Sequence, residues 1–320
     1  MRIKIMLLSI SLALVVIGAR PQTPIDTTEI IKIGGIRQFI SVKGAEKTKP
    51  LLLFITGGPG ESSMGFADMF TKELKKHFVL VQWDQRECGN TLALNHSPQP
   101  ITLETCQADT RELVDSLLAQ FHQEKLFLMG WSWGTVLGFY MAANHPELLH
   151  AYFAVSPVIN QLESERLALN MLKNTAESKG NREAIDELAQ VRIPFENMNQ
   201  VYFDRKWLFI YDGQHINQKF LKSYFSDPGK EWIVTLFNEA STHDLTAELP
   251  AIRVPIYFFV GKKDYQTNHS ISEKYFQQLQ APKKQFFLFE KSGHGVPVSE
   301  PALFQQRIIT EVIPAIGLKN

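Results

Sequence analysis

The chain has 320 residues, 44% of them hydrophobic, which is enough for a sizeable core in one large domain or in one domain with an insertion. Its 33 basic and 33 acidic residues balance, so the composition gives no reason to expect a nucleic acid or an anionic membrane as a partner. Chemistry on a small molecule or a peptide stays open.

The first residues have the composition of an export signal. Arg2 and Lys4 precede the apolar stretch 5–17, and two small residues follow it. This order predicts a secretory signal peptide over residues 1–19, cleaved after Ala19, and therefore a periplasmic or secreted protein. An apolar stretch of about 13–15 residues is short for a spanning helix, which needs roughly 20, but an uncleaved N-terminal anchor remains the alternative.

The two cysteines, Cys88 and Cys106, do not form a disulfide framework. Neither belongs to a C-x-x-C pair or to a cysteine and histidine cluster with the spacing of metal ligands, so the sequence predicts no zinc site. In an oxidising compartment the two could pair. We expect two buried, unreactive thiols.

Short apolar runs alternate with helical segments along most of the chain. Two runs around Gly34-Gly35 predict a hairpin over 29–44. The later runs, which suit strands buried on both faces, are 51–56, 78–83, 126–129, 151–155, 255–260 and 285–289. The helical segments are 64–76, 103–121, 134–145, 268–280 and 300–316. The alternation predicts an α/β fold with a mainly parallel sheet covered on both sides.

Residues 157–250 break the alternation, because they contain helical stretches and no buried-strand runs. We interpret them as a helical cap inserted after the sixth strand, into a core formed by residues 30–156 and 251–317. The insertion is either a second structural layer or a lid over the strand ends, where open α/β sheets bind ligands. We favour the lid.

Residues 130–134, GWSWG, place Ser132 between two tryptophans and two glycines. The segment follows an apolar strand and precedes a helix, and it matches G-x-S-x-G, in which glycines permit a tight turn that exposes the serine oxygen. It is therefore either an ordinary glycine turn or the position of a nucleophile.

A nucleophilic serine needs an acid and then a histidine, in that chain order for this topology, each just beyond a strand. Asp264 follows the strand at 255–260, although an aspartate there can also serve an Asx turn or a helix N-cap. His294 follows the last strand, between two glycines, where a solvated loop histidine is the alternative. We take these two as the candidate acid and base.

The loop GGPGESS at 57–63 supplies candidate donors for an oxyanion. Its glycines let the backbone approach a ligand, and the N–H of Gly58 (or Gly57) would act together with that of Trp133. An ordinary strand-to-helix turn is the alternative, and phosphate binding is disfavoured because the loop lacks the GK[ST] ending of a P-loop.

These motifs resemble those of the α/β-hydrolases, and more narrowly those of the prolyl iminopeptidase family of serine aminopeptidases. The resemblance spans residues 30–156 and 251–317. It is carried by GGPG at 57–60, DQRECG at 84–89, GWSWG at 130–134, Asp264, and SGH at 292–294. The resemblance implies Ser132 as nucleophile, His294 as base, Asp264 as its partner, Gly58 and Trp133 as oxyanion donors, and no metal or organic cofactor.

The chain departs from the family at several positions. Thr56 stands where the family has histidine, and Glu87 stands where it has glycine. Family members hold the free amino terminus of the substrate with acidic residues of the cap. Here Glu196, Glu231 and Glu239 are candidates for that contact, although each can equally be a solvated helix carboxylate.

The sequence therefore predicts a serine hydrolase and leaves three functions open. The first is an aminopeptidase that removes N-terminal residues, including proline, from short peptides. The second is an esterase or amidase on small neutral acyl substrates. The third is a non-catalytic ligand-binding protein on the same fold.

Overall fold

An eight-stranded sheet forms the centre of the protein in a computed structural model, which describes residues 23–212 and 217–317. The predicted signal peptide lies outside the described residues, so export stays a prediction. The strands are β1 (Ile25–Ile33), β2 (Ile36–Gly44), β3 (Leu51–Ile55), β4 (Val79–Asp84), β5 (Leu126–Trp131), β6 (Leu149–Val155), β7 (Ile256–Gly261) and β8 (Lys284–Phe289).

The strand order across the sheet is β1-β2-β4-β3-β5-β6-β7-β8. The hairpin β1–β2 is antiparallel and joins β4 in antiparallel register, whereas all pairs from β4 to β8 are parallel. The predicted α/β fold with a mainly parallel sheet is confirmed. Because the six parallel strands point the same way, the loops that follow them meet at one edge of the sheet.

Fourteen α-helical segments surround the sheet in the described ranges. They are α1 (Asp68–Thr71), α2 (Gly89–Leu94), α3 (Leu103–Phe121), α4 (Gly134–Asn144), α5 (Gln161–Ser178), α6 (Arg182–Leu188), α7 (Met198–Tyr211), α8 (Gln218–Phe225), α9 (Trp232–Ser241), α10 (Leu245–Glu248), α11 (His269–Gln278), α12 (Val296–Ser299), α13 (Pro301–Arg307) and α14 (Ile313–Ala315). A π-helical stretch, Ile308–Val312, links the last two.

The predicted helix over 64–76 is wrong in extent. The structure has only α1 and a 3₁₀ turn, Leu74–Lys76, in that interval. Gly65 has low helix propensity, and Ala67, at the N-cap position, provides no side-chain cap. No local feature therefore favours a helix that begins before Asp68. The segment α2, which the sequence did not predict, follows β4.

The apolar strands divide their side chains between two cores, one on each face of the sheet. In β3, Leu53 packs in the core that includes Leu117 and Leu137 of the helices on that face. Its neighbours Leu52 and Phe54 pack in the opposite core, with residues such as Phe304. Alternate side chains point to opposite faces, and both faces are covered, which explains unbroken apolar runs instead of alternating ones.

The helices α5–α10 connect β6 to β7 and contain a third hydrophobic cluster of their own. Leu172, Leu188, Trp207 and Leu208 are among its buried members. This connection, called the helical segment below, occupies the part of the chain in which the sequence predicted a cap.

A buried ionic cluster lies inside the helical segment. Arg205 of α7 donates to Glu165 of α5 through two nitrogens and also donates to Asp204 at 2.5 Å. All three side chains are at most 5% exposed. The guanidinium also lies over the rings of Phe195 and Phe237, at 5.5 and 5.8 Å from their centroids. Burial and the negative charge of Glu165 raise the pKa of Asp204 above its usual value.

Both cysteines are free and buried, Cys88 at 1% and Cys106 at 7% exposure. Burial raises the pKa of both thiols, that of Cys106 to about 12, so almost no thiolate forms near neutral pH. We expect native protein to react with Ellman's reagent only on the timescale of unfolding, and protein in guanidinium to release two equivalents at once. Two fast equivalents from native protein, or none after denaturation, would contradict this.

Candidate active site

Each predicted site residue lies just beyond a parallel strand, at the shared edge of the sheet. Ser132 follows β5, Asp264 follows β7, His294 follows β8, and Gly58 follows β3. The structure thus brings together four residues that are separated by up to 236 positions between Gly58 and His294 in sequence.

Ser132 lies at a sharp corner between β5 and α4. Its φ is +55°, a left-handed conformation that only a constrained turn imposes on a serine. Its N–H donates to the carbonyl of Val155 at 2.9 Å, which ties the corner to β6. A β-carbon on Gly134 would lie 2.3 Å from the carbonyl oxygen of Ile55, so only glycine fits there. The local geometry is that of a G-x-S-x-G elbow.

A chain of hydrogen bonds joins Ser132 to His294 and His294 to Asp264. Nε2 of the imidazole is 2.8 Å from Oγ of the serine. Nδ1 on the other side of the ring is 3.1 and 3.2 Å from the two carboxylate oxygens of Asp264. A proton on Nδ1 leaves Nε2 free to accept the proton of the serine hydroxyl.

Asp264 is fully buried and held by three further donors. Its oxygens accept from the N–H groups of Gln266 and Thr267, at 3.1 and 2.9 Å, and from the hydroxyl of Thr267 at 2.9 Å. Burial by itself would raise the pKa of Asp264, but the charge of His294 and the hydrogen bonds from His294 and Thr267 outweigh it. The pKa is therefore below its usual value. The Asx-turn alternative also holds, because the same carboxylate closes that turn.

The backbone of His294 is anchored by two side chains. Its carbonyl accepts from the hydroxyl of Ser156 at 2.8 Å and from the indole N–H of Trp131 at 3.2 Å. Two residues earlier, Ser292 donates to Glu300 at 2.6 Å. Ser156 and Thr267 were not predicted from the sequence. The signal for Ser156 was available, since it directly follows β6 as the other site residues follow their strands.

The N–H groups of Gly58 and Trp133 donate to no acceptor within the described part of the chain. Gly58 has a φ of +113° and lines the same cavity as Ser132, while Trp133 is the next residue after it. The indole of Trp133 is buried in the core and does not line that cavity. The oxyanion assignment to these two N–H groups stays a prediction.

The site opens into two adjoining chambers. The inner one, of about 120 Å³, is lined by Ser132 and His294, and the outer one, of about 360 Å³, lies below α7, α8 and α9. Five residues line both: Gly58, Glu61, Phe66, Phe209 and Gln266. The helical segment therefore roofs the site. A larger depression, of about 830 Å³, lies at the opposite end of the sheet and contains none of the predicted site residues.

None of the three cap glutamates singled out from the sequence lines either chamber. Glu239 accepts from the N–H of Leu103 at 3.0 Å, and Glu196 accepts from the side chain of Gln200 at 3.0 Å. Glu231 is exposed at the start of α9. These three carboxylates therefore do not face the cavity in which a substrate would bind.

The segment 84–89 lines neither chamber, and its charged side chains hold neighbouring loops in place. Arg86 forms a buried ion pair with Asp109 of α3 and donates to the carbonyl of Gly34 at 2.7 Å, so it fastens the hairpin turn to that helix. Glu87 has a φ of +52°, a left-handed conformation that favours glycine. Its carboxylate accepts from the N–H of Ser97 at 2.5 Å, a contact that helps hold the loop.

Comparison with known proteins agrees with this geometry. Residues 50–301 match the model of the family described by the alpha/beta hydrolase fold. The chain belongs to the alpha/beta hydrolase family.

Several relatives of this hydrolase carry peptidase names. It is 31% identical over 306 residues to a probable aminopeptidase, YbaC, of Bacillus subtilis (strain 168), a match that covers 86% of this chain and 92% of the relative. It is 23% identical to a proline iminopeptidase of Heyndrickxia coagulans, over 78% of this chain and 86% of the relative. The resemblance inferred from the motifs is confirmed.

Solved structures show the same fold. The proline iminopeptidase of Mycobacterium smegmatis superposes on this hydrolase with a TM-score of 0.65 at 14% identity, covering 91% of this chain and 98% of the other. At that identity the likeness bears on the fold alone.

No helix within residues 23–212 and 217–317 of this hydrolase is long and apolar enough to cross a membrane. In the same ranges, histidine, cysteine and carboxylate side chains form no group of three or more that could hold a metal ion.

Proposed function

We propose that this hydrolase is a serine aminopeptidase that cleaves the first residue from short peptides. The observation that carries the proposal is the hydrogen-bonded series Ser132, His294 and Asp264, with the serine at a strained corner facing a cavity. The whole-length similarity to a protein named as a probable aminopeptidase supports the choice of substrate.

The reaction follows from the positions of the three side chains. His294 takes the proton of Ser132 through Nε2 as the oxygen attacks the acyl carbon, and Asp264 stabilises the resulting imidazolium through Nδ1. The imidazolium then protonates the leaving amine, and an acyl-serine remains. Water, activated by the same imidazole, attacks the acyl carbon and releases the acid, returning the proton to Ser132.

The N–H groups of Gly58 and Trp133 are the proposed donors to the tetrahedral oxyanion. Both are free to donate, and one such donor is worth about 2.7–4 kcal/mol in a site of this kind. Their placement in a fixed loop and at a helix start means that they need no reorganisation as the charge develops.

A substrate panel tests the proposal. We expect Ser132-dependent hydrolysis of L-prolyl- and L-alanyl-2-naphthylamide, and loss of activity on their N-acetyl derivatives. Turnover of p-nitrophenyl acetate without turnover of either amide would favour an esterase. Absence of Ser132-dependent turnover on every compound would favour a binding protein on a hydrolase fold.

A further inference from the structure

Glu61 lies on the oxyanion loop and points its side chain along the cavity wall. It follows the GGPG turn and lines both the inner chamber, with Ser132, and the outer chamber below the helical segment. A β-carbon on Gly58 would lie 3.3 Å from Cγ of Glu61, so this side chain rests on the backbone of the proposed oxyanion donor. Among the described residues that line the two chambers, Glu61 is the one with a carboxylate side chain.

This carboxylate has no partner in the described part of the chain. Among the described residues, none donates a hydrogen bond to Glu61 or forms an ion pair with it. The nearby Lys230 instead places its ammonium over the ring of Tyr224, 3.6 Å from the centroid. The atoms packed around Glu61 desolvate it and raise its pKa, although part of the side chain stays exposed to the cavity, and the charges of His294 and Lys230 only partly offset that rise. An ionised Glu61 therefore has no cation within ion-pair distance among the described residues.

The other charges around the cavity are already committed. Arg205 reaches the wall of the outer chamber but is paired with Glu165 and Asp204, neither of which lines either chamber. The helical segment therefore supplies no free carboxylate to this cavity among the described residues. A cationic group of a substrate has Glu61 as its available counter-charge.

An unpaired carboxylate beside an oxyanion hole opposes catalysis, because the negative charge that develops on the substrate oxygen is repelled by it. The repulsion is stronger in a cavity than in bulk water. A cation between the two negative charges removes the conflict. The α-ammonium of an unblocked N-terminal residue is such a cation, since its nitrogen is two bonds from the carbonyl carbon that Ser132 attacks.

We propose that Glu61 binds the α-ammonium of the substrate and so selects unblocked aminoacyl substrates over neutral esters. This inference rests on the proposed aminopeptidase function and adds its specificity-determining residue. The outer chamber receives the side chain of the first residue, because Phe225, Ile233 and Val234 give it an apolar wall. The substrate class is an unblocked peptide or amide with an apolar first residue.

The test is the isosteric variant Glu61→Gln, which keeps size and removes charge. We expect kcat/KM for L-alanyl-2-naphthylamide to fall about 100-fold, as on loss of a charge pair that the bound substrate desolvates, with hydrolysis of p-nitrophenyl acetate unchanged or faster. The matched control is Glu231→Gln, since this carboxylate is exposed and lies outside both chambers. It should leave both rates within twofold.

Either of two results would overturn the inference: equal losses on amide and ester, which indicate a structural role in the loop, or no loss on the amide. Binding measurements separate this inference from the proposed function. In a Ser132→Ala background, which cannot turn over, calorimetry should detect L-alaninamide binding that Glu61→Gln weakens at least tenfold. If wild-type protein hydrolyses no amide yet this binding difference appears, the aminopeptidase function fails and Glu61 still binds ammonium. Equal binding by both proteins contradicts the role of Glu61.

Discussion

Ser132→Ala is expected to lower kcat on the best aminoacyl substrate about 10⁶-fold while leaving the unfolding midpoint almost unchanged. Among the described residues, the hydroxyl of Ser132 forms a hydrogen bond with His294 alone. Its loss should therefore lower the rate of reaction and leave the stability of the fold almost unchanged. His294→Ala should cost about as much. Steady-state and single-turnover rates on L-alanyl-2-naphthylamide measure both effects.

The double variant Ser132→Ala/His294→Ala gives the sharper result. Because the nucleophile and its base act as one unit, the second substitution should add almost nothing to the first. Multiplicative losses would show that the two side chains act independently and would contradict the proposed mechanism. Ser178→Ala is the matched control, since this serine is exposed at the end of α5 and bonds only to the carbonyl of Thr175. It should leave activity unchanged.

Arg205→Met is expected to lower the free energy of unfolding by about 3–5 kcal/mol, because it leaves Glu165 and Asp204 buried without their shared cation. Guanidinium unfolding followed by circular dichroism measures the loss. The control is Arg166→Met, on the same helix as Glu165, whose side chain is 54% exposed and whose contact with Glu163 is 3.9 Å. Its removal should cost less than about 0.5 kcal/mol. A loss below about 1 kcal/mol in Arg205→Met would contradict the prediction.

The pH dependence of this cluster has a definite sign. The folded state holds the proton of Asp204 more tightly than the unfolded state does, since its pKa is raised from 3.8 to about 7. Its contribution to stability is present below pH 3.8 and is lost as the pH rises through about 7. Asp204→Asn should flatten that part of the stability profile. The assignment is contradicted if the free energy of unfolding of the wild type rises between pH 3.8 and about 7 and Asp204→Asn removes that rise.

Elements with strong local signals were predicted well. Helix α3 has the predicted limits, 103–121, because its N-cap Thr102 accepts from the N–H of Thr105 and its end at His122 is left-handed. The proximity of the candidate site residues could be predicted because each occupies the loop after a buried strand, and a parallel sheet brings such loops to one edge. That inference needs only strand positions and chain order.

What the sequence did not reveal depends on contacts between distant segments. Arg205 and Glu165 are 40 residues apart on different helices, and nothing local marks either as buried. Glu61 lies in a loop whose conformation can be predicted from its glycines. That its side chain lines a cavity depends on α7–α9, which cover the outer chamber and are distant in sequence. The cap glutamates were candidates by analogy with the prolyl iminopeptidase family, and position in a helix could not show whether any of them faces the cavity.

The separate hydrophobic cluster of the helical segment has an evolutionary consequence. The proposed catalytic residues follow the strand ends. The roof of the outer chamber is formed by helices that stabilise one another through their own hydrophobic core. Core residues of these helices, such as Leu172 and Leu188, pack inside the helical segment, whereas Ser132, His294 and Asp264 lie on loops that follow strands of the sheet. Under the proposed function, changes in the helical segment would therefore alter which substrates fit the outer chamber more readily than they would alter the reaction.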